Sequence, residues 1–256
     1  MNGAGYIRAA ARHGLNLVAA IPAERYDLAV APALRTTAFD SADSPSPARS
    51  IIVVGNGGRD FWNAFSDFAD RHPGWRERAN PLDDFTREIV EGEVAPAVRD
   101  SGAQCRTVYP FMHAGPTLNF IELAKLAGLG GPSLLGVVVH PIYGPWIAFR
   151  AALIVDLALD SPGAALGFDP CPGCVPRTCI AACPAGAIAY PAGWDIPQCL
   201  THRVETEADC APRCHARAGC VLGPQHRYAD DELAYHQRRA LATMRPWYDA
   251  HLRPPR

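Results

Sequence analysis

Apolar positions in the first part of the chain alternate between short β-branched runs and helical spacings. Tyr6 to His13 carries a helical pattern, and Leu15-Asn16-Leu17-Val18-Ala19-Ala20 follows as a strand. Thr37 to Arg49 is a polar, Pro- and Ser-containing loop. Ile51-Ile52-Val53-Val54 reads as a buried strand ending at Gly55-Asn56-Gly57-Gly58. A helix from Asp60 to about Asp70 follows, with Phe61, Ala64, Phe65 and Phe68 at i, i+3, i+4 and i+7. Pro81 opens another, from Leu82 to Val98, with acidic residues near its N-terminus. Thr107 to Pro110 starts a strand, and Leu118 to Leu126 is a helix stopped at Gly128. Leu134–Val139 and Ile147–Leu157 are apolar runs expected to pair as strands through Pro141-Ile142-Tyr143-Gly144. Asp230 to Met244 is the final helix. Strands and helices in alternation predict α+β or α/β layers.

Composition divides the chain. Residues 1–165 read as a mixed α/β domain; residues 166–256 are Cys- and Pro-rich and end in a helix. The length of 256 residues allows one or two domains. A net charge of -2 gives no electrostatic case for nucleic acid or an anionic membrane. No stretch reaches ~18 apolar residues, so no membrane span is expected. The best candidate, Leu134 to Leu159, is broken by His140, Arg150 and Asp156. Arg8, Arg12 and His13 interrupt the start, which lacks a secretory pattern and points to the cytoplasm. Gly55-Asn56-Gly57-Gly58 before a helix invites a phosphate. It lacks both a P-loop Lys-Ser/Thr pair and a third spaced Gly, so it reads as a glycine-rich turn.

The chemistry lies in nine cysteines, eight of them between Cys171 and Cys220. Clustered thiols in a reduced chain point to metal. Cys171-Pro-Gly-Cys174, then Cys179, then Cys183-Pro184 resembles the bacterial ferredoxin run of three close Cys followed by Cys-Pro. The first and last intervals, two and three residues, agree; the middle one is four rather than two. Gly173, Ala181, Ala182, Ala185 and Gly186 leave room for backbone amides to approach inorganic sulfide. Cys199, Cys210, Cys214 and Cys220 follow, so eight thiolates are present for two 4Fe-4S clusters. In two-cluster ferredoxins the fourth Cys of each run serves the other cluster. That rule implies Cys171, Cys174, Cys179 and Cys220 for one and Cys199, Cys210, Cys214 and Cys183 for the second. Zinc is the rival occupant of either set. His215 is open to three roles: ligand, hydrogen-bond partner of a sulfide, or exposed side chain. His202, Arg203, Arg213 and Arg217 put positive charge near the clusters, which raises their potential. Cys105 stands apart as a small buried hydrophobe.

Two family resemblances follow. Ala127-Gly128-Leu129-Gly130, then Pro141, Gly144 and Trp146, then an apolar strand and the ferredoxin run is similar to epoxyqueuosine reductase. That family and the reductive dehalogenases join a corrinoid-binding, nitroreductase-like domain to a two-cluster ferredoxin-like module. His140-Pro141-Ile142-Tyr143-Gly144-Pro145-Trp146-Ile147-Ala148-Phe149-Arg150 resembles a segment of the cobalamin-processing CblC family. So does Arg227-Tyr228, with Glu232 and Ala234-Tyr235. CblC proteins lack the ferredoxin module, so the chain looks like a hybrid.

The resemblance implies residue roles and shows departures. The Asp that is the implied proton donor of epoxyqueuosine reductases is His113 here, in His113-Ala114-Gly115-Pro116. A Lys-Asn pair of that family is Leu134-Leu135. His113 and Tyr143 become the candidates for proton delivery. His140, Gly144, Trp146 and Arg150 become the candidate corrinoid contacts, with Tyr143 and Trp146 offering flat apolar surface. Arg150 in an apolar strand calls for an anionic partner: a phosphate, a substrate carboxylate, or Asp156.

The function implied is an iron–sulfur oxidoreductase that passes electrons to cobalamin for its reduction or processing, or for reduction of a small substrate. An external donor such as a flavodoxin or ferredoxin would supply them. A non-catalytic electron-transfer or corrinoid-carrier protein, a zinc-stabilised module, and a flavin in the first domain are the rivals. The Cys-rich part has little apolar patterning, so its folding is expected to depend on its clusters and on docking to the first domain.

Overall fold

The Ile51–Val54 run is apolar on both faces and so needs cover on both. It forms the middle of a strand at the centre of a four-stranded sheet in the computed structural model, which describes residues 4–39, 47–112, 115–159 and 166–253. The strands are β1 (Leu17–Pro22), β2 (Ser50–Gly57), β3 (Cys105–Val108) and β4 (Ile147–Val155), in the order β1-β2-β4-β3. Every pairing is antiparallel, which makes the fold α+β.

The helices preceding the cysteine run are α1 (Ala4–Ala11), α2 (Ala23–Ala29), α3 (Asp60–Arg71), α4 (Pro81–Ile89), α5 (Ala95–Arg99) and α6 (Phe120–Leu126). On α3 the predicted spacing buries Phe61 and Phe65, and Phe65 meets Phe85 of α4 with ring centroids 5.7 Å apart. The single helix expected over Leu82–Val98 is instead α4 and α5 joined by a π turn, Val90–Val94. Pro96 has no N–H for the carbonyl of Gly92, so the usual ladder lapses there and the wider turn takes it up.

Two compact units emerge. One holds the residues up to Gly130 together with Ile147–Phe168; the other holds Gly131–Trp146 and the chain from Asp169 onward. Gly131–Trp146 therefore folds with the cysteine-bearing unit. The expected pairing of Leu134–Val139 with Ile147–Leu157 does not form. Strand β4 pairs with β2 and β3, and Val139 makes only an isolated bridge to Gly131.

The Gly55-Asn56-Gly57 stretch, expected as a turn, continues β2 instead. Asn16 holds it as a strand would: Gly57 N–H donates to Asn16 Oδ1 at 2.7 Å, and Asn16 Nδ2 donates to Gly57 O at 3.0 Å. A Cβ on Gly55 would meet Ala148 O at 2.7 Å, which explains a glycine in a central strand. The β2–β4 register shifts at this point: Val54 faces Ala151 and Gly55 faces Phe149, so Arg150 is the extra residue of a bulge.

The second unit carries β5 (Ile188–Ala189) and β6 (Gly193–Trp194). Its helices are α7 (Thr178–Ala181), α8 (Ile196–Glu205), α9 (Glu207–Cys210), α10 (His215–Ala218) and α11 (Asp230–His251). It has three small apolar clusters, centred on Leu200 with Leu241 and Tyr248, on Leu134 with Ile188 and Ala216, and on Trp146 with Tyr228 and Leu233. Helix α11 runs past Met244 and through Pro246, because Tyr248 beyond the proline is buried in the first of these. Among the described residues no helix is long and apolar enough to cross a membrane.

Candidate metal centres

All nine cysteines are free thiols. Cys171 and Cys174 sit on one turn, where Cys174 N–H donates to Cys171 O at 3.2 Å. Arg177 takes a left-handed conformation, φ +40°, and turns the chain into α7, which carries Cys179. Cys220 lies just beyond α10. Thr178 Oγ1 donates to Gly219 O and so ties the Cys179 helix to the segment that bears Cys220. Cys171, Cys174, Cys179 and Cys220 line one cavity of about 370 Å³, with Leu134, Val139 and Leu222 among its apolar walls.

The second cavity, about 190 Å³, is lined by Cys183 after α7, Cys199 of α8, Cys210 closing α9 and Cys214 capping α10. The structure thus brings Cys220 to the first three cysteines of the run and Cys183 to the later three. Among the described residues, no three of these eight sulfurs lie within 4.8 Å of one another. A tetrahedral zinc with ~2.3 Å Zn–S bonds would draw four sulfurs to roughly 3.8 Å separations. Each ring of thiols is wider than a single ion spans, and its all-sulfur donor set suits an iron–sulfur cluster.

The thiols of each ring act on one another. Burial pushes Cys179 up, and Cys220, Cys171 and Cys174 add to it. Burial likewise raises Cys220, with Cys171 and Cys174 contributing. In the second ring burial raises Cys199, against hydrogen bonding from Trp194 and the charge of Arg203. Cys210 is pushed up to about 11 by burial, by Asp209, and then by Cys214, Cys199 and Cys183. Thiols this reluctant to ionise alone lose their protons when a cation arrives.

Backbone donors already aim at two sulfurs. Leu134 N–H donates to Cys171 Sγ, and Arg217 N–H to Cys214 Sγ, each at 3.4 Å. Neither contact is visible in cysteine spacing, and Leu134 comes from outside the Cys-rich segment.

The basic residues expected to supply diffuse charge have specific jobs. Arg203 is buried; its Nε donates to Cys210 O at 3.3 Å and its Nη2 to Gln237 O at 2.7 Å. Arg217 donates to Pro145 O and lies over the rings of Trp146 and Tyr228, 4.8 Å from each centroid. His215 Nε2 pairs with Asp209 Oδ1 at 3.0 Å. His202 lines the second cavity and its Nε2 is buried. Cys105, half-buried, directs its sulfur to Ala95 O at 3.8 Å, and burial raises its thiol.

The residues expected to face a corrinoid are engaged within the chain. His140 Nδ1 accepts the N–H of Ile142 at 3.0 Å and of Tyr143 at 3.3 Å, closing the turn that ends at Gly144. Burial lowers its pKa, and His226 lowers it further. Tyr143 sits between the rings of His140 and His226, at 5.1 and 4.6 Å. Gly144 has φ +58°, and a Cβ there would meet Leu222 O at 2.1 Å, so two loops meet backbone to backbone. Trp146 is 1% exposed, edge-on to Tyr228 at 5.4 Å. Its ring is core, not a platform for a macrocycle. Arg150 belongs to the other unit. The β4 bulge turns it inward, where Nε donates to Asn56 Oδ1 at 2.8 Å and the guanidinium lies 5.0 Å from the Phe61 ring. Asp156, offered as its partner, accepts Gln104 N–H at 2.8 Å. His113 lies outside the described residues.

No protein-family profile matches the chain, and no curated protein matches it. Solved structures match it in fold. The B12-trafficking protein CblC of C. elegans aligns with TM-score 0.53 at 13% identity, covering 98% of this chain and 97% of that one. Epoxyqueuosine reductase from Streptococcus thermophilus gives 0.51 at 14% identity, covering 85% and 65%. The catabolic reductive dehalogenase NpRdhA, solved with 3-bromo-4-hydroxybenzoic acid, gives 0.52 at 16% identity, covering 96% and 35%. The chain spans about 65% of the length of that reductase and 35% of that dehalogenase.

Proposed function

We propose that this chain is an iron–sulfur oxidoreductase that moves electrons singly through two 4Fe-4S clusters. One observation carries the reading: two cavities, each ringed by four free thiols spread wider than a single zinc ion would hold them. Cys171, Cys174, Cys179 and Cys220 would hold the first cluster, and Cys183, Cys199, Cys210 and Cys214 the second. Bound clusters would supply one-electron chemistry. The chain supplies the setting. Leu134 and Arg217 amides donate to ligand sulfurs, the apolar walls limit water, and Arg203 anchors the backbone at Cys210. A flavodoxin or ferredoxin is our proposed donor.

Our reading of the acceptor is a corrinoid. Its support is the likeness in fold to a B12-trafficking protein over nearly the whole of both chains. His140, Gly144 and Trp146 are engaged in their own unit and Arg150 in its bulge, so we assign the macrocycle no residue and no step. The same engagement favours a second reading, a ferredoxin-type carrier without substrate chemistry.

The test is purification without oxygen, followed by iron, sulfide, zinc and absorption measurements, and then addition of cobalamin to the reduced protein. About eight irons and matching sulfide per chain are expected, with reduced clusters reoxidised as cobalamin is reduced. Colourless protein with stoichiometric zinc overturns the reading. Two clusters that never reduce cobalamin leave the carrier.

A further inference from the structure

His202 is set at the second cavity by a rigid frame. It lies in the last turns of α8, where its carbonyl accepts both the N–H of Thr206, at 2.8 Å, and Thr206 Oγ1, at 2.7 Å. The next residue, Arg203, pins the same helix to the carbonyls of Cys210 and Gln237. A ring nitrogen of His202, Cys210 Sγ and an Asp209 carboxylate oxygen lie within 4.8 Å of one another. Of these groups, Asp209 is engaged: Oδ1 holds His215, and Oδ2 lies 4.0 Å from Cys210 Sγ. His202 Nε2 is buried and has no partner among the described residues. A buried polar nitrogen left without a partner costs ~1–3 kcal/mol, so such a group needs an explanation in a ligand, a water or a function.

Cys210 is the thiol that most needs a donor. Once deprotonated it would face the Asp209 carboxylate, and like charges at that range repel. A directed N–H offsets this. We propose that His202 donates its Nε2–H to the Cys210 sulfur in the loaded second centre and thereby raises that centre's reduction potential. The sign follows from charge. One added electron makes the cluster and its sulfurs more negative, and a donor aimed at sulfur stabilises that form more than the oxidised one. His202 is a positioning and tuning residue here, not a ligand. The inference rests on the two-cluster reading and concerns only the centre built by Cys183, Cys199, Cys210 and Cys214.

The experiment is an anaerobic redox titration of the full chain, followed by electron paramagnetic resonance, on wild type, His202→Ala and His202→Gln, with iron and sulfide counted in each. The expected result is wild-type iron in all three. In His202→Ala one cluster signal moves to more negative potential while the other stays. The shift corresponds to about a tenfold change in the reduction equilibrium, about 59 mV for one electron. His202→Gln, which keeps an N–H donor, recovers part of it. Unmoved potentials in His202→Ala with full iron overturn the proposal. So does halved iron in both variants, which would make His202 a ligand or a structural prop. Wild-type protein with iron in the first centre alone overturns the function of the second centre and this inference together, an outcome distinct from either.

Discussion

Arg203 Nε donates to the carbonyl oxygen of Cys210 across 3.3 Å, so a buried guanidinium holds the backbone of a candidate cluster ligand. The same side chain reaches Gln237 O on α11. Replacing it with Met keeps much of its volume and strands two carbonyls, at ~1–3 kcal/mol each. Arg203→Met is expected to lower the unfolding temperature and to lose iron from one centre only, reducing total iron by about half. Iron assay with calorimetry checks this; full iron retention with an unchanged melt would refute it.

Gly144 carries a different kind of constraint. Its φ of +58° is costly for any side chain, and a Cβ would also strike Leu222 O at 2.1 Å. Gly193 supplies the control, with φ +83° and open space where its Cβ would go. Gly193→Ala should cost ~1–2 kcal/mol, the left-handed penalty alone. Gly144→Ala should cost clearly more, because the Leu222 backbone must also move. Equal chemical denaturation midpoints for the two variants would show that the loops are not in contact.

The helical spacing on α3 and the β-branched run of β2 were legible because each period matches one buried face. The cysteine groups were legible as spacing, and their two cavities draw on that same set of eight. Leu134–Val139 was misread because its apolar pattern is that of a strand, while its backbone serves elsewhere: Leu134 N–H goes to Cys171 Sγ, and Gly136 packs against the Trp194 ring. Arg150 escaped because a bulge adds one residue without changing the hydrophobic pattern. Similarity of a short segment named His140 and Trp146 but carried no information on which way they point. Helix α11 was cut short at Pro246 because burial of Tyr248 is a tertiary fact.

His140 links stability to pH. Its Nδ1 accepts two backbone N–H groups, which only an unprotonated nitrogen can do. Burial, then His226, lowers its pKa below the ordinary ~6.5. The unfolded chain therefore binds a proton first as pH falls. The contribution is complete above the ordinary value and is lost as pH drops through the folded one. His140→Asn offers a carbonyl oxygen to the same amides and does not titrate. The difference in melting temperature between wild type and His140→Asn should favour wild type more at pH 7.5 than at pH 5.5. Taking the difference cancels acid loss of iron common to both. A difference constant across that range would remove His140 from the account.

The partition of the eight cysteines makes the strictest prediction. Cys179 and Cys220 share one ring, although forty residues separate them, and Cys183, only four residues beyond Cys179, belongs to the other. Loss of one thiolate from a four-thiolate cluster generally costs that cluster, so effects within a ring should not add. Cys179→Ser with Cys220→Ser should lose no more iron than either alone, about half the total. Cys179→Ser with Cys183→Ser should lose nearly all, even though these two are neighbours in sequence. A chain that grouped its cysteines by sequence would give the reverse: Cys179 and Cys183 non-additive, Cys179 and Cys220 additive. Iron and sulfide counts on the four chains decide between the two, with circular dichroism to confirm that the first unit's sheet is intact in each.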